Sequence, residues 1–343
     1  MTITRVHAFQ PIADDSPADW RTSLGQIAVR IETSDGLIGY GVGGGGAAGI
    51  HIIESILAPL LQGQSIEPVE DHWQAMYDAT LPFGRKGVAI MALSGVDLAL
   101  WDLRAKAADK SVVEWLGGTT GQAIPTYSTV WDDVDDETAR GSSPVKLHVH
   151  PRSEAALQDR SAFIEEIVSR TAAAREAIGP ERELMIDAWM EWDVPMTLAV
   201  AREIEPLQVG WIEEPISPDD LDGYRQLRDE CSIPIAGGEH EFTHIGFRPL
   251  IEERLHRVLQ PDVCWCGGMT ELVRIYRMAD GTGLRVIPHR GAEVWGLHAL
   301  AALDPRPLAE SGRPWMHWVA GQPSIEEEVV RIPDAAGFGV TLD

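Results

Sequence analysis

Three carboxylates recur at one interval in this chain: Asp187, Glu213 and Glu239 stand 26 residues apart. Each closes a short apolar run, in LMIDAW, VGWIEEP and IPIAGGEH. A short apolar run reads as a buried strand, so each acid falls at a strand C-terminus. About 25 residues hold one strand, one helix and two loops, and in a parallel barrel successive strand ends converge on one face. Three converging carboxylates repel one another unless a cation sits among them. Oxygen-only donors suit a hard ion, Mg²⁺ before others, one per subunit. The series continues with Asp262, which closes RVLQPD 23 residues after Glu239, and with His289, which closes LRVIPH 27 residues further on.

Lys146, His148 and His150 alternate in VKLHVH, and residues i, i+2 and i+4 of a strand share a face. A lysine inside a barrel strand and near a bound substrate can lose its proton and act as a base. Asp262 and His289, on consecutive strand ends, can pair. The aspartate would accept the Nδ1 hydrogen and leave Nε2 free as acid or base. Together these groups describe proton abstraction beside a carboxylate. A cation would stabilise the enediolate, and a histidine would assist loss of a hydroxyl from the next carbon.

The elements that must position these groups fall into two rhythms. From about residue 125 strand-like runs alternate with amphipathic helical patterns, which predicts a (β/α) barrel of seven or eight strands. Before it, TRVHAFQPI, IAVRIETS and GLIGYGV read as strands, with Ser34-Asp35-Gly36 as a hairpin turn. Helical patterns follow over about 48–61 and 87–108, so the first part reads as an α+β unit. The loop ADDSPADWRTS carries Trp20 and reads either as a lid or as ordinary surface. Gly41 and Gly43 to Gly46 lack the order of a phosphate-binding loop and read as a flexible loop or hinge. WDDVDDETARG reads as a solvated acidic insertion. The domains are then 1–124, an α+β capping domain; 125–310, the barrel with the site; and 311–343, a return to the cap.

With 343 residues and 44% hydrophobic content the chain can build a large core. No apolar run approaches the roughly 20 residues of a membrane span, and MTITRVHAFQ lacks a signal peptide's apolar stretch, which predicts a cytoplasmic protein. Three cysteines are too few for a disulfide framework. The net charge of −25 argues against nucleic-acid and anionic-membrane partners. Lysine occurs four times, at 86, 106, 110 and 146, and arginine carries the remaining positive charge. Such a surface fits a high-salt cytoplasm, where screening removes self-repulsion.

With these residues in place, the chain resembles the enolase superfamily, mandelate racemase subgroup, along nearly its whole length. The resemblance implies an α/β fold: a modified (β/α)7β TIM barrel with an N-terminal α+β capping domain. It implies Asp187, Glu213 and Glu239 as metal ligands, Lys146 on the second barrel strand, Asp262 and His289 as a His–Asp dyad, and Glu310 as an acid hydrogen-bonded to the enediolate. Within the subgroup, IDAWMEWDV, WIEEPISPDDLDGYRQL, GGEHEFT and LQPDVCWCGGMTEL are most similar to rhamnonate dehydratases and related acid-sugar dehydratases. Such enzymes convert an aldonic acid to a 2-keto-3-deoxy acid. The resemblance also implies a homo-oligomer, often an octamer.

Mandelate racemase carries Lys-x-Lys on the second strand, where this chain has Lys146-Leu-His148. Racemisation needs a base on each face, whereas syn dehydration can run on His289 alone. A racemase or epimerase of an α-hydroxy acid, with Lys146 or His148 opposite His289, is therefore the second reading, and a catalytically silent relative the third. Trp20, Trp189 and His240 are candidate substrate contacts. Arg290, Glu293 and Trp295 read as bulky groups on the rim, unfavourable to rhamnonate itself.

Overall fold

The computed structural model of the chain describes residues 1–11, 25–313, 316 and 318–342, so Trp20 lies outside the described residues. The chain begins with an antiparallel meander of β1 (Ile3–Phe9), β2 (Ile27–Thr33) and β3 (Ile38–Gly43). The turn between β2 and β3 is the one expected: Gly36 adopts φ 84° and its N–H donates to Thr33 O at 3.1 Å. One face of the sheet is covered by the long helix Val88–Ala107, which is buried over most of its circumference. The barrel-side helix Gly268–Ala279 packs on it as well.

The glycines of β3 are not a hinge. A Cβ on Gly41 would stand 2.1 Å from Gly95 O, and one on Gly43 would stand 2.4 Å from Met91 O. Both carbonyls belong to the long helix, so glycine lets sheet and helix meet backbone to backbone. Gly45 and Gly46 have φ of 92° and 51° and start the helix Gly46–Ile52.

The second part alternates strand and helix from β4 (Ala123–Val130) through β5 (Val145–His148), β6 (Leu184–Asp187), β7 (Val209–Glu213), β8 (Ile235–Gly237), β9 (Val258–Leu259) and β10 (Arg285–Val286) to β11 (Ala309–Glu310). The parallel ladder runs from β10 back to β4, and β11 pairs with β4 in parallel on the other side. This is the (β/α)7β arrangement. Among the described residues no ladder joins β10 to β11. That seam is crossed by one backbone hydrogen bond, Ala292 N–H to Glu310 O at 2.8 Å. The strand Val329–Arg331 pairs antiparallel with β4 outside the ring, and Gly337 bridges Ser111. No described helix is long and apolar enough to cross a membrane.

The barrel interior is filled by Tyr127, Met185, Trp211, Ala236, Val258, Ile287 and Leu308. Side chains alternate along a strand, so the residue two places further on returns to the same side. Two after Met185 is Asp187, two after Trp211 is Glu213, two after Ile287 is His289 and two after Leu308 is Glu310. The apolar plug and the polar groups above it are therefore one pattern read at two heights.

Candidate active site at the strand ends

Register places His148 beside Asp187 on β5 and β6, and Asp187 beside Glu213 on β6 and β7. Lys146 lies one step deeper and is buried. Its Nζ is 2.6 Å from Glu213 Oε1, 2.9 Å from Glu310 Oε1 and 3.8 Å from Asp187 Oδ2. Burial favours the neutral amine, but Glu213 and Glu310 outweigh it and hold the proton far above the ordinary lysine range. The carboxylates around Lys146 thus favour its charged form, against the expectation that it gives up its proton. Glu310 also accepts from Thr129 Oγ1 at 2.5 Å and from Arg290 N at 2.9 Å. Burial acts against its charge, yet Lys146 and Arg290 keep its carboxyl below the usual range.

Three oxygen donors, Asp187, Glu213 and Glu239, come from three adjacent strand ends. Glu213 has Lys146 and also accepts from Gln260 Nε2 at 2.6 Å. Glu239 Oε2 faces His289 Nε2 at 2.9 Å. Asp187 has less compensation: Trp189 N–H donates to it at 3.0 Å, and Lys146 is its nearest cation. Burial, then the charge of Glu213, raise the Asp187 carboxyl well above the ordinary aspartate range. A negatively overcharged, sulfur-free donor set fits a hard divalent cation.

Among the described residues one group of three has its ligand atoms within 4.8 Å of one another: Glu214, Glu239 and His240, which shares Glu239 with the expected triad. It is the poorer metal site. Glu214 Oε2 is 2.6 Å from His240 Nδ1, and Glu214 Oε1 accepts from Gly238 N at 3.1 Å. Burial disfavours a charged His240, but Glu214 and Glu239 raise it to about 9. His240 Nδ1 and Glu214 Oε2 are thus engaged with each other.

His289 and Asp262 meet across β9 and β10, with Nδ1 to Oδ2 at 2.8 Å. Burial disfavours the imidazolium, while Glu239 and Asp262 raise His289 to about 10. His148 is the opposite case. Burial lowers it to about 4, assisted by His150 and Lys146, and its Nε2 has no partner. Trp131 stacks on it at 4.3 Å. The acidic insertion is largely solvated, as expected: Asp132 and Asp133 pair with Arg152 while their side chains stay 91% and 78% exposed. His150 is half-buried, with Nδ1 3.3 Å from that of His148. Trp189, 42% exposed and at φ 43°, stands edge-on to His240 at the mouth.

The rim expected from Arg290, Glu293 and Trp295 is not there, because all three are buried. Trp295 packs edge-on against Phe338, away from the mouth. Glu293 Oε2 binds Arg313 Nη1 at 2.5 Å, and Arg313 Nη2 in turn binds Asp262 Oδ2. Gln260 and Arg313 escaped the sequence reading. Gln260 had a signal, its place two residues before Asp262. Arg313 follows the last strand and had none.

Comparison with known proteins covers the whole length. The family "Mandelate racemase / muconate lactonizing enzyme, N-terminal domain" matches residues 21–117, and "Enolase C-terminal domain-like" matches residues 132–343. L-rhamnonate dehydratase of Saccharopolyspora erythraea is 36% identical over 335 residues, 93% of this chain and 84% of that protein. Rhamnonate dehydratase from Gibberella zeae complexed with Mg superposes with a TM-score of 0.89 at 25% identity, covering 100% of this chain and 94% of that one. The 3,6-anhydro-D-galactonate cycloisomerase from Zobellia galactanivorans has a TM-score of 0.85 at 29% identity, covering 100% and 97%.

Proposed function

Because this chain belongs to the mandelate racemase / muconate lactonizing enzyme family and is a Mg²⁺-dependent dehydratase of sugar acids, we propose that it converts an aldonate of the rhamnonate type to the 2-keto-3-deoxy acid. The observation that carries the reading is the His289–Asp262 pair, with Nδ1 engaged by the carboxylate and Nε2 turned toward the metal-ligand candidates. Asp187, Glu213 and Glu239 are the residues that would hold Mg²⁺. When bound, the ion supplies positive charge against these carboxylates and against the substrate carboxylate as its α-proton leaves.

The chain's own groups do the rest. Glu239 is the main group that raises His289, and engaged as a metal ligand it would no longer hold the Nε2 proton; His289 Nε2 would then take the C2 proton, and Asp262 would support the imidazolium that results. Lys146, held protonated, offers a fixed positive charge to the oxyanion side. The imidazolium of His289 returns its proton to the C3 hydroxyl, which leaves as water. The enol then tautomerises to the 2-keto-3-deoxy acid. His240 and Trp189 face the distal part of the substrate, and Glu310 holds Lys146 and the Arg290 backbone in place. Residues 1–124 act as the cap, 125–310 as the catalytic barrel and 311–343 as the return to the cap. The working form is a homo-oligomer, testable by sedimentation.

A racemase or epimerase is the second reading, favoured by one observation: His148 is neutral and its Nε2 is free. Aldonic acids supplied with Mg²⁺ and assayed with semicarbazide for 2-keto products test the first reading. Turnover that disappears in His289→Asn is the expected result. C2 deuterium exchange without loss of water would move the assignment to the second, and neither exchange nor turnover would overturn both.

A further inference from the structure

We propose that Arg313, backed by Glu293, is the positioning residue that holds Asp262 in register with His289. The inference rests on the proposed role of the His289–Asp262 pair. Arg313 follows β11, Asp262 lies in the loop after β9, and Glu293 lies in the turn after β10. One guanidinium therefore ties together the three elements on either side of the seam that no backbone ladder closes. His289 sits at that seam, where its orientation depends on side-chain contacts more than on strand pairing.

The Asp262 carboxylate is held at both oxygens. Oδ1 accepts from Cys264 N–H at 2.8 Å, and Oδ2 accepts from His289 Nδ1 at 2.8 Å and from Arg313 Nη2. Arg313 has its own constraints. Nη1 binds Glu293 Oε2 at 2.5 Å, its backbone N–H binds Glu293 Oε1 at 2.8 Å, and its guanidinium lies 5.5 Å from the Trp265 ring centre. Trp265 in turn lies 6.0 Å from the His289 ring. The side chain of Arg313 is 2% exposed, so water cannot take over its hydrogen bonds. A planar fork can bridge two carboxylates at fixed geometry, which an ammonium cannot do.

Removing Arg313 alone would leave two buried carboxylates facing each other. Arg313→Met combined with Glu293→Gln removes one charge of each sign, and Arg313→Lys keeps the charge but loses the fork. The test uses the full-length enzyme with Mg²⁺ and ¹⁵N-labelled histidine. The first readout needs no substrate: the low-field Nδ1–H resonance of His289, assigned by its absence in His289→Asn. In both variants this proton is expected to shift upfield or broaden away while the fold, followed by circular dichroism, persists. The second readout is kinetic: kcat is expected to fall by roughly 10–100-fold with KM little changed, the usual range for loss of an orienting partner. A role in stability alone would lower Tm but leave the resonance and kcat as in the parent. An unchanged resonance with unchanged kcat in Arg313→Lys and in the double variant overturns the proposal. If the parent turns over no sugar acid, the functional reading fails, and the resonance still decides whether Arg313 positions the pair.

Discussion

Lys146→Met tests the charge balance on which the metal reading depends. Lys146 Nζ stands 2.6 Å from Glu213, 2.9 Å from Glu310 and 3.8 Å from Asp187, all buried. Methionine fills a similar volume without the charge, so the variant leaves three acids short of one cation. Breaking a buried pair from one side costs about 3–5 kcal/mol. A chain of 343 residues has an unfolding entropy near ~0.7 kcal/mol/K, so Tm should fall by about 4–7 °C. Burial and Glu213 already raise the Asp187 carboxyl above its unfolded value, and loss of Lys146 raises it further. A raised carboxyl contributes stability that is complete below about pH 4 and is lost as pH climbs through the folded value. The deficit should therefore be larger near pH 8 than near pH 5 when EDTA is present. Excess Mg²⁺ restores positive charge at the same carboxylates, so the Tm gain on adding it should be larger in the variant than in the parent. Melts at both pH values, with EDTA or with Mg²⁺, decide it. A deficit independent of pH, or a Mg²⁺ gain no larger than the parent's, would refute the argument.

Other perturbations probe different parts of the molecule. Burial raises Asp97 to about 7 although Thr270 donates to both its oxygens. The parent should lose about 3 kcal/mol between pH 5 and pH 8 through this group, and Asp97→Asn should abolish that part of the slope in urea melts. Gly41→Ala puts a methyl 2.1 Å from Gly95 O and should cost about 1–3 kcal/mol or more, with an unchanged melt counting against close packing there. With a net charge of −25, molar KCl should raise Tm, and highest stability at low ionic strength would contradict the high-salt reading.

Much of the architecture was legible because it is periodic. A β/α unit repeats in sequence, an apolar run marks each barrel strand, and parallel order carries every strand end to one face. The intervals from Asp187 to His289 therefore map onto the C-terminal ends of β6 to β10. The glycines of β3 were misread for a related reason. Glycine signals conformational freedom locally, whereas its use here is to admit a helix about 50 residues away in the chain.

What the tertiary structure alone decided is which charge meets which. Nothing in VKLHVH shows that Lys146 lies among three carboxylates that favour its charged form, or that burial favours the neutral form of His148 two residues on. Arg290, Glu293 and Trp295 follow His289 closely and read as rim, yet the turn after β10 folds them inward. Arg313 is separated from Asp262 by 51 residues and from Glu293 by 20, and no helical or strand period connects them. Local periodicity fixes the direction a side chain leaves its strand. The partner it finds depends on how the ring closes, and with it the ionisation of each buried group.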